Sequence, residues 1–128
     1  MSQAILLVDD DADDAELFRI AAKEAGISHP IITARSGEEA LDLLLNRRLI
    51  PALTLLDIKM PGIGGLEVLR RLRAEPLHRS ADVIMLTSSD LERDRIEAQR
   101  LGCSLYLTKP ASLPGYIEMA ERIKKLLP

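Results

Sequence analysis

Asp9, Asp10, Asp57, Thr87 and Lys109 are the side chains of this 128-residue chain whose types, taken together, could handle a phosphoryl group. Each stands at the end of a short apolar run. Ile5-Leu6-Leu7-Val8 leads into Asp9-Asp10-Asp11, Leu53 to Leu56 into Asp57, Val83 to Leu86 into Thr87-Ser88-Ser89, and Leu105 to Leu107 into Thr108-Lys109-Pro110. If Asp9, Asp10 and Asp57 converge, they carry a formal charge of −3, which Lys109 reduces only to −2. Such a group raises its own pKa values or recruits a cation, and an all-oxygen donor set with few protein ligands suits Mg2+. A divalent ion brings the formal sum to zero. Asp57, set beside a Lewis acid and an ammonium, can then attack an electrophilic phosphorus and become an acyl phosphate. The ion, Lys109 and the Thr87 hydroxyl are the groups able to hold the phosphoryl oxygens. Taken singly, each residue has a plainer account. An aspartate run after a strand is commonly a solvated helix start, and Asp13 and Asp14 are read that way. Compatible groups at four strand ends together favour chemistry.

Those ends meet only if the apolar runs share one sheet. The runs at Ala4 to Val8, Ile31 to Ala34, Leu53 to Leu56, Val83 to Leu86 and Leu105 to Leu107 read as buried strands, rich in Leu, Ile and Val. They begin 22 to 30 residues apart, room for a strand, a crossover helix and two short loops. Between them apolar residues recur at helical spacing, as in Leu17, Phe18, Ala21, Ala22 and Ala25, and again at Leu113, Tyr116, Ile117, Ala120 and Ile123 after the last strand. Ser36-Gly37-Glu38-Glu39 and Ser89-Asp90-Leu91-Glu92 are capping-box patterns, and Gly26 and Gly102 stand where a helix should stop in a left-handed turn. Right-handed crossovers then give an open parallel sheet with helices on both faces, whose carboxyl edge gathers the chemistry. A dinucleotide site would need Gly-x-Gly-x-x-Gly where the three aspartates stand.

Composition removes other classes. The net charge of −3, from 17 basic and 20 acidic residues, offers no basic field for nucleic acid. Aromatics are 2%, namely Phe18, Tyr106 and Tyr116, too few for base-stacking platforms. Cys103 stands alone, which excludes an internal disulfide and fits a reducing cytoplasm; it is read as a small buried residue at a strand start. Only five consecutive apolar residues follow the N-terminus, with no basic flank, so neither a signal peptide nor a membrane span is expected. His29 and His78 lack matching neighbours for a metal or phosphotransfer site and are read as loop residues. The length fits one domain over 1–128, with no output domain.

Ile5-Leu6-Leu7-Val8-Asp9-Asp10-Asp11, Leu55-Leu56-Asp57-Ile58-Lys59-Met60-Pro61-Gly62-Ile63-Gly64-Gly65, Val83-Ile84-Met85-Leu86-Thr87-Ser88 and Leu105-Tyr106-Leu107-Thr108-Lys109-Pro110 closely resemble the receiver domain of bacterial response regulators. The likeness covers essentially the whole chain. It implies a flavodoxin-like doubly wound α/β fold, a five-stranded parallel sheet of order 2-1-3-4-5 with five helices. It implies that Asp57 is the phosphoacceptor and that Asp9 and Asp10 bind Mg2+ with it, joined by the backbone carbonyl of Lys59. Thr87 resembles the switch hydroxyl, Tyr106 the aromatic that follows it inward, and Lys109 the phosphate-pairing lysine. The bond before Pro110 is expected to be cis, aiming Lys109 into the site. Lys59 and Ser89 stand where the family tunes phosphoryl lifetime, and basic Lys59 is expected to prolong it. Gly64 departs from the acidic residue often found at its position.

The resemblance also implies a partner, a sensor histidine kinase, and an output through the fourth helix, fifth strand and fifth helix to a downstream or phosphotransfer protein. Asp10-Asp11-Ala12-Asp13-Asp14-Ala15-Glu16-Leu17 and Thr87-Ser88-Ser89-Asp90 look more like the stand-alone regulators encoded with bacterial phytochrome kinases than the chemotaxis type, which implies a homodimer through that same face. Such a protein is no enzyme beyond slow self-dephosphorylation. Two rivals remain. A small haloacid-dehalogenase-like phosphohydrolase also uses a strand-end aspartate, but wants a second aspartate where Lys59 stands; a pseudo-receiver that binds partners without phosphorylation would be expected to lose some of Asp9, Asp10, Asp57, Thr87 or Lys109.

Overall fold

Short runs of Leu, Ile and Val between helical segments pair as parallel strands: the three central runs, Ile5–Val8, Leu53–Asp57 and Val83–Thr87, are buried throughout, whereas the edge runs Ile31–Ala34 and Leu105–Thr108 are only partly buried, not fully as expected. The computed structural model describes residues 3–88 and 91–128. In chain order the elements are β1 (Ile5–Val8), α1 (Ala12–Glu24), β2 (Ile31–Ala34), α2 (Gly37–Leu41), a π-helical turn (Asp42–Asn46), β3 (Leu53–Asp57) and α3 (Gly65–Ala74). After a 3-10 turn (Pro76–His78) come β4 (Val83–Thr87), α4 (Glu92–Arg100), β5 (Leu105–Thr108) and α5 (Leu113–Lys124). The strands lie in the order β2-β1-β3-β4-β5, the flavodoxin-like arrangement expected. Val8 pairs with Leu56, Asp57 with Leu86, and Thr87 with Thr108, so the carboxyl ends of four strands line up along one edge.

Alternation along each strand divides the core in two. Ile5, Leu7, Leu53, Leu55, Ile84 and Leu86 face α1 and α5, meeting Phe18, Ala22, Tyr116 and Ile123. Leu6, Val8, Leu56, Val83 and Met85 face the other layer, meeting Leu44, Val68, Leu69 and Leu72. Each fully buried Val, Leu, Ile, Phe or Met side chain among these stabilises the fold by about 1.5–3 kcal/mol. Helix α4 contributes least, since Ala98 is the one buried residue among its described positions.

The helix ends follow the expected chemistry where they are described. Ser36 Oγ accepts from the amide of Glu39 at 3.0 Å. Gly26 and Gly102 take φ values of 84° and 76° behind α1 and α4. The second capping box rests on Ser89 and Asp90, which lie outside the described residues.

Three further features differ from expectation. The second helix widens into the π turn, where Asn46 and Arg47 both bond the Asp42 carboxylate, at 2.9 and 3.1 Å, and the Arg47 amide reaches back to the Asp42 carbonyl at 3.0 Å. His78 is not a loop bystander. It is 1% exposed, and its Nε2 donates to the Leu44 carbonyl of the π turn at 2.8 Å. Cys103 is half-buried and precedes β5 rather than opening it; burial pushes its thiol up, against the opposing field of Arg73, which suits an unreactive side chain. Arg73 itself donates from Nε to the Leu101 carbonyl at 2.8 Å, and from Nη1 and Nη2 to those of His78 and Gly102, both at 2.9 Å. One guanidinium thus ties the end of α3 to the 3-10 turn and the α4–β5 connection.

Candidate functional site: an acidic cluster around a buried lysine

The three consecutive aspartates divide their tasks. Asp9 continues β1, its amide bonding the Ala34 carbonyl at 3.0 Å, and its Oδ1 accepts from the Asp11 amide at 2.9 Å. Asp11 caps α1, accepting from the amides of Asp13 and Asp14 at 2.9 and 3.1 Å. Asp10, between them, is exposed at the carboxyl edge of the sheet.

Asp57 ends β3 and is 5% exposed. Its Oδ1 accepts from the Lys59 amide at 3.2 Å. One carboxylate oxygen from each of Asp9, Asp10 and Asp57 lies within 4.8 Å of the others, close enough to share a cation.

Lys109 follows β5, and its amide bonds the Thr87 carbonyl at 2.7 Å. Its ammonium enters the cluster with the side chain 8% exposed, 2.9 Å from Asp9 Oδ2, 3.0 Å from Asp57 Oδ2 and 2.8 Å from Asp14 Oδ2. Its three protons therefore match three acceptors. Burial pulls the lysine pKa down, but the hydrogen bonds to Asp14, Asp9 and Asp57 outweigh it and hold the group well above its ordinary range. Asp57 is the carboxylate that fares worse. Burial pushes the Asp57 carboxyl up to about 6, Lys109 opposes this, and Asp9 adds to it. A charge deficit of this kind suits a hard divalent ion at Asp9, Asp10 and Asp57.

Thr87 is fully buried at the end of β4, one residue beyond the partner of Asp57. Tyr106 lies on the next strand opposite Met85; its hydroxyl oxygen is buried, and the Arg95 guanidinium covers its ring at 4.6 Å from the centroid. Lys59 is exposed in the loop after β3. That loop is seated on α2: a Cβ at Gly37 would run into the Ile63 carbonyl, and one at Gly62, where φ is 76°, into the Glu38 carboxylate.

Asp9, Asp10, Asp57 and Lys109 are thus brought together, with Thr87 at the adjoining strand end. Ser89 lies outside the described residues. The expected cis bond before Pro110 is not found: no cis peptide occurs among the described residues, so this bond is trans. Trans is favoured even before proline, and Lys109 spans the gap with its own buried stem. Asp14 is a second correction. Read as part of a solvated helix start, it is a direct partner of Lys109. The signal lay in Asp11 as the cap residue, since the third helical position after a cap turns back toward the strand edge.

These features agree with the comparisons. The model of the response regulator receiver domain matches residues 5–121. The polar-differentiation response regulator DivK of Brucella ovis is 36% identical over 118 residues, 92% of this chain and 93% of that protein. The Mn(2+)-bound form of response regulator Rcp1 superposes with a TM-score of 0.86 at 32% identity, covering 96% of this chain and 92% of its own. The phosphorylated cyanobacterial phytochrome response regulator RcpA gives a TM-score of 0.90 at 28% identity, over 99% of this chain and 94% of its own. An acid-lined sheet edge, a buried lysine and a match spanning nearly every element lead to one conclusion: the chain belongs to the response regulator receiver domains of two-component signalling.

Proposed function

We propose that the chain accepts a phosphoryl group on Asp57 from a sensor histidine kinase and signals to a partner protein by a conformational switch. The observation that carries this reading is the Lys109 ammonium 3.0 Å from Asp57, beside three carboxylates able to share one cation. Mg2+ held by Asp9, Asp10, Asp57 and the Lys59 carbonyl would supply charge neutralisation at the phosphoryl oxygens. An Asp57 oxygen forms the new P–O bond as the P–N bond to the kinase histidine breaks, and the imidazole leaves with the electron pair and takes a proton from solvent. Lys109 and the Thr87 hydroxyl bind the oxygens of the transferred group. The phosphoryl adds charge and acceptors at the strand edge, and Thr87 and Tyr106 carry the change to α4, β5 and α5.

That face is the proposed partner surface, supported by Leu91 at the cap of α4 and Ile96 within it, which are 39% and 51% exposed beside a mostly charged helix. The likeness to a phytochrome response regulator supports a phytochrome kinase as donor. A homodimer through the same face is part of this proposal. No helix among the described residues is long and apolar enough to cross a membrane, which accords with action in the cytoplasm. Lys59 and Ser89 are assigned the tuning of phosphoryl lifetime, with only slow self-dephosphorylation. Neither rival is favoured: the family match is not to a phosphohydrolase, and no residue that a pseudo-receiver would lose is missing.

Incubation with acetyl phosphate and Mg2+ tests the reading. Intact mass should show one added phosphoryl that Asp57→Ala abolishes. Catalytic release of phosphate without a retained adduct would sink it. Light scattering with a phosphoryl mimic tests the dimer, which is refuted if only monomer is present at tens of micromolar protein.

A further inference from the structure

Of the three carboxylates on the Lys109 ammonium, Asp9 and Asp57 also belong to the cation cluster, and Asp14 does not. An ammonium has three N–H donors, and here all three are engaged. It reaches a phosphoryl oxygen only by giving one up. Asp9 and Asp57 gain new partners when a cation and a phosphoryl arrive, whereas Asp14 gains none and is left as an under-compensated carboxylate, its side chain only 30% exposed.

The opposite helix offers a partner for it. Tyr116 on α5, which packs along α1, is 1% exposed, and its hydroxyl has no hydrogen-bond partner among the described residues. A buried donor without an acceptor is costly, and phenylalanine would fill the same apolar space without that cost. Burial raises the hydroxyl's pKa to about 12, and among the surrounding charges Asp14 acts on it most strongly, ahead of Lys109, Asp9 and Asp11.

We infer that Asp14 is a positioning residue that holds Lys109 in the resting state and yields it to the phosphoryl group, and that the Tyr116 hydroxyl then donates to the freed Asp14 carboxylate. This rests on the phosphoacceptor reading of Asp57. No covalent bond changes and no proton moves between groups: one charge-assisted hydrogen bond replaces another. The exchange gives the α1–α5 face its own response to phosphorylation, separate from Thr87 and Tyr106.

The sequence holds two tyrosines, so protein labelled with 13C at tyrosine Cζ gives two resonances, and Tyr116→Phe assigns them. With Mg2+ and beryllofluoride, both should shift in the wild type. In Asp14→Ala the Tyr106 resonance should shift alone. In Asp14→Asn, whose amide oxygen accepts a hydrogen bond but attracts the ammonium weakly, the Tyr116 resonance should be displaced before the mimic is added. Tyr116→Phe should weaken beryllofluoride binding by about ten-fold or more, the worth of one hydrogen bond to a charged group. A Tyr116 resonance that stays fixed in the wild type while Tyr106 moves, or that moves equally in Asp14→Ala, overturns the exchange and leaves the phosphoacceptor reading standing. If neither ring responds and acetyl phosphate adds no mass, the phosphoacceptor reading fails and the exchange fails with it.

Discussion

Gly65 stands against the backbone carbonyl of Asp57 with no room for a Cβ atom between them. Its amide also donates to the Ile58 carbonyl at 3.1 Å, so the first turn of α3 braces the end of β3 from behind. Gly65→Ala should therefore push on backbone rather than on a yielding side chain. We expect a loss of about 1–3 kcal/mol in urea denaturation, as for other overpacked sites. Phosphorylation by acetyl phosphate should slow as well, because Asp57 moves with the strand end. Unchanged stability would show that the helix start shifts freely.

Metal-free stability should depend on pH through Asp57. Its carboxyl titrates near 3.8 when unfolded and at about 6 when folded, so the native state binds the extra proton between those values. Stability is then higher on the acid side and falls as pH rises toward 6. Asp57→Asn removes the buried charge. It should be more stable than the wild type above pH 6, by about 2 kcal/mol, with the gain disappearing below about pH 4. Chemical denaturation in chelator across that range checks both the sign and the window.

Divalent ions should raise the melting temperature and chelator should reverse the effect. At ten times its dissociation constant Mg2+ contributes about 1.4 kcal/mol. Asp10→Asn should keep the fold, since Asp10 is exposed, yet lose most of that increment. An identical increment in the variant would place the ion elsewhere.

Lys59 holds Asp57 through its amide, and its side chain is exposed beside the site. Lys59→Asn keeps the amide contact and removes only the charge. The acyl phosphate should be lost several-fold faster in the variant, followed as decay of the phosphorylated mass. An unchanged rate removes Lys59 from the control of lifetime.

Much of this was legible because sheet and helix periods are written locally. The β2, β3, β4 and β5 starts at Ile31, Leu53, Val83 and Leu105 coincide with the apolar runs, and the glycines behind α1 and α4 take the left-handed turns their type suggests. The acidic edge was legible too, since a parallel sheet aligns its strand ends. Asp14 was hidden by its neighbours: in a run of acids nothing distinguishes the residue that faces a lysine 95 positions away. His78 and the π turn explain each other through one hydrogen bond, a tertiary relation with no local pattern. Arg73 was equally silent, because its partners are backbone carbonyls, which every residue carries.

The Arg73 clamp grips the Leu101 carbonyl, and Leu101 is the residue on which α4 ends. At its other end Leu91 caps the helix without a side-chain bond, and Ala98 is the one buried residue between. Such a helix is a lever pinned at one end. Its nine residues make an arm of about 13 Å, so a tilt of about 5° about the pinned end moves the far end by about 1 Å. A shift near Thr87 would therefore be felt most at Leu91 and Glu92 and least beside Arg73, and the amide edge of the sheet would stay still while the carboxyl edge signals.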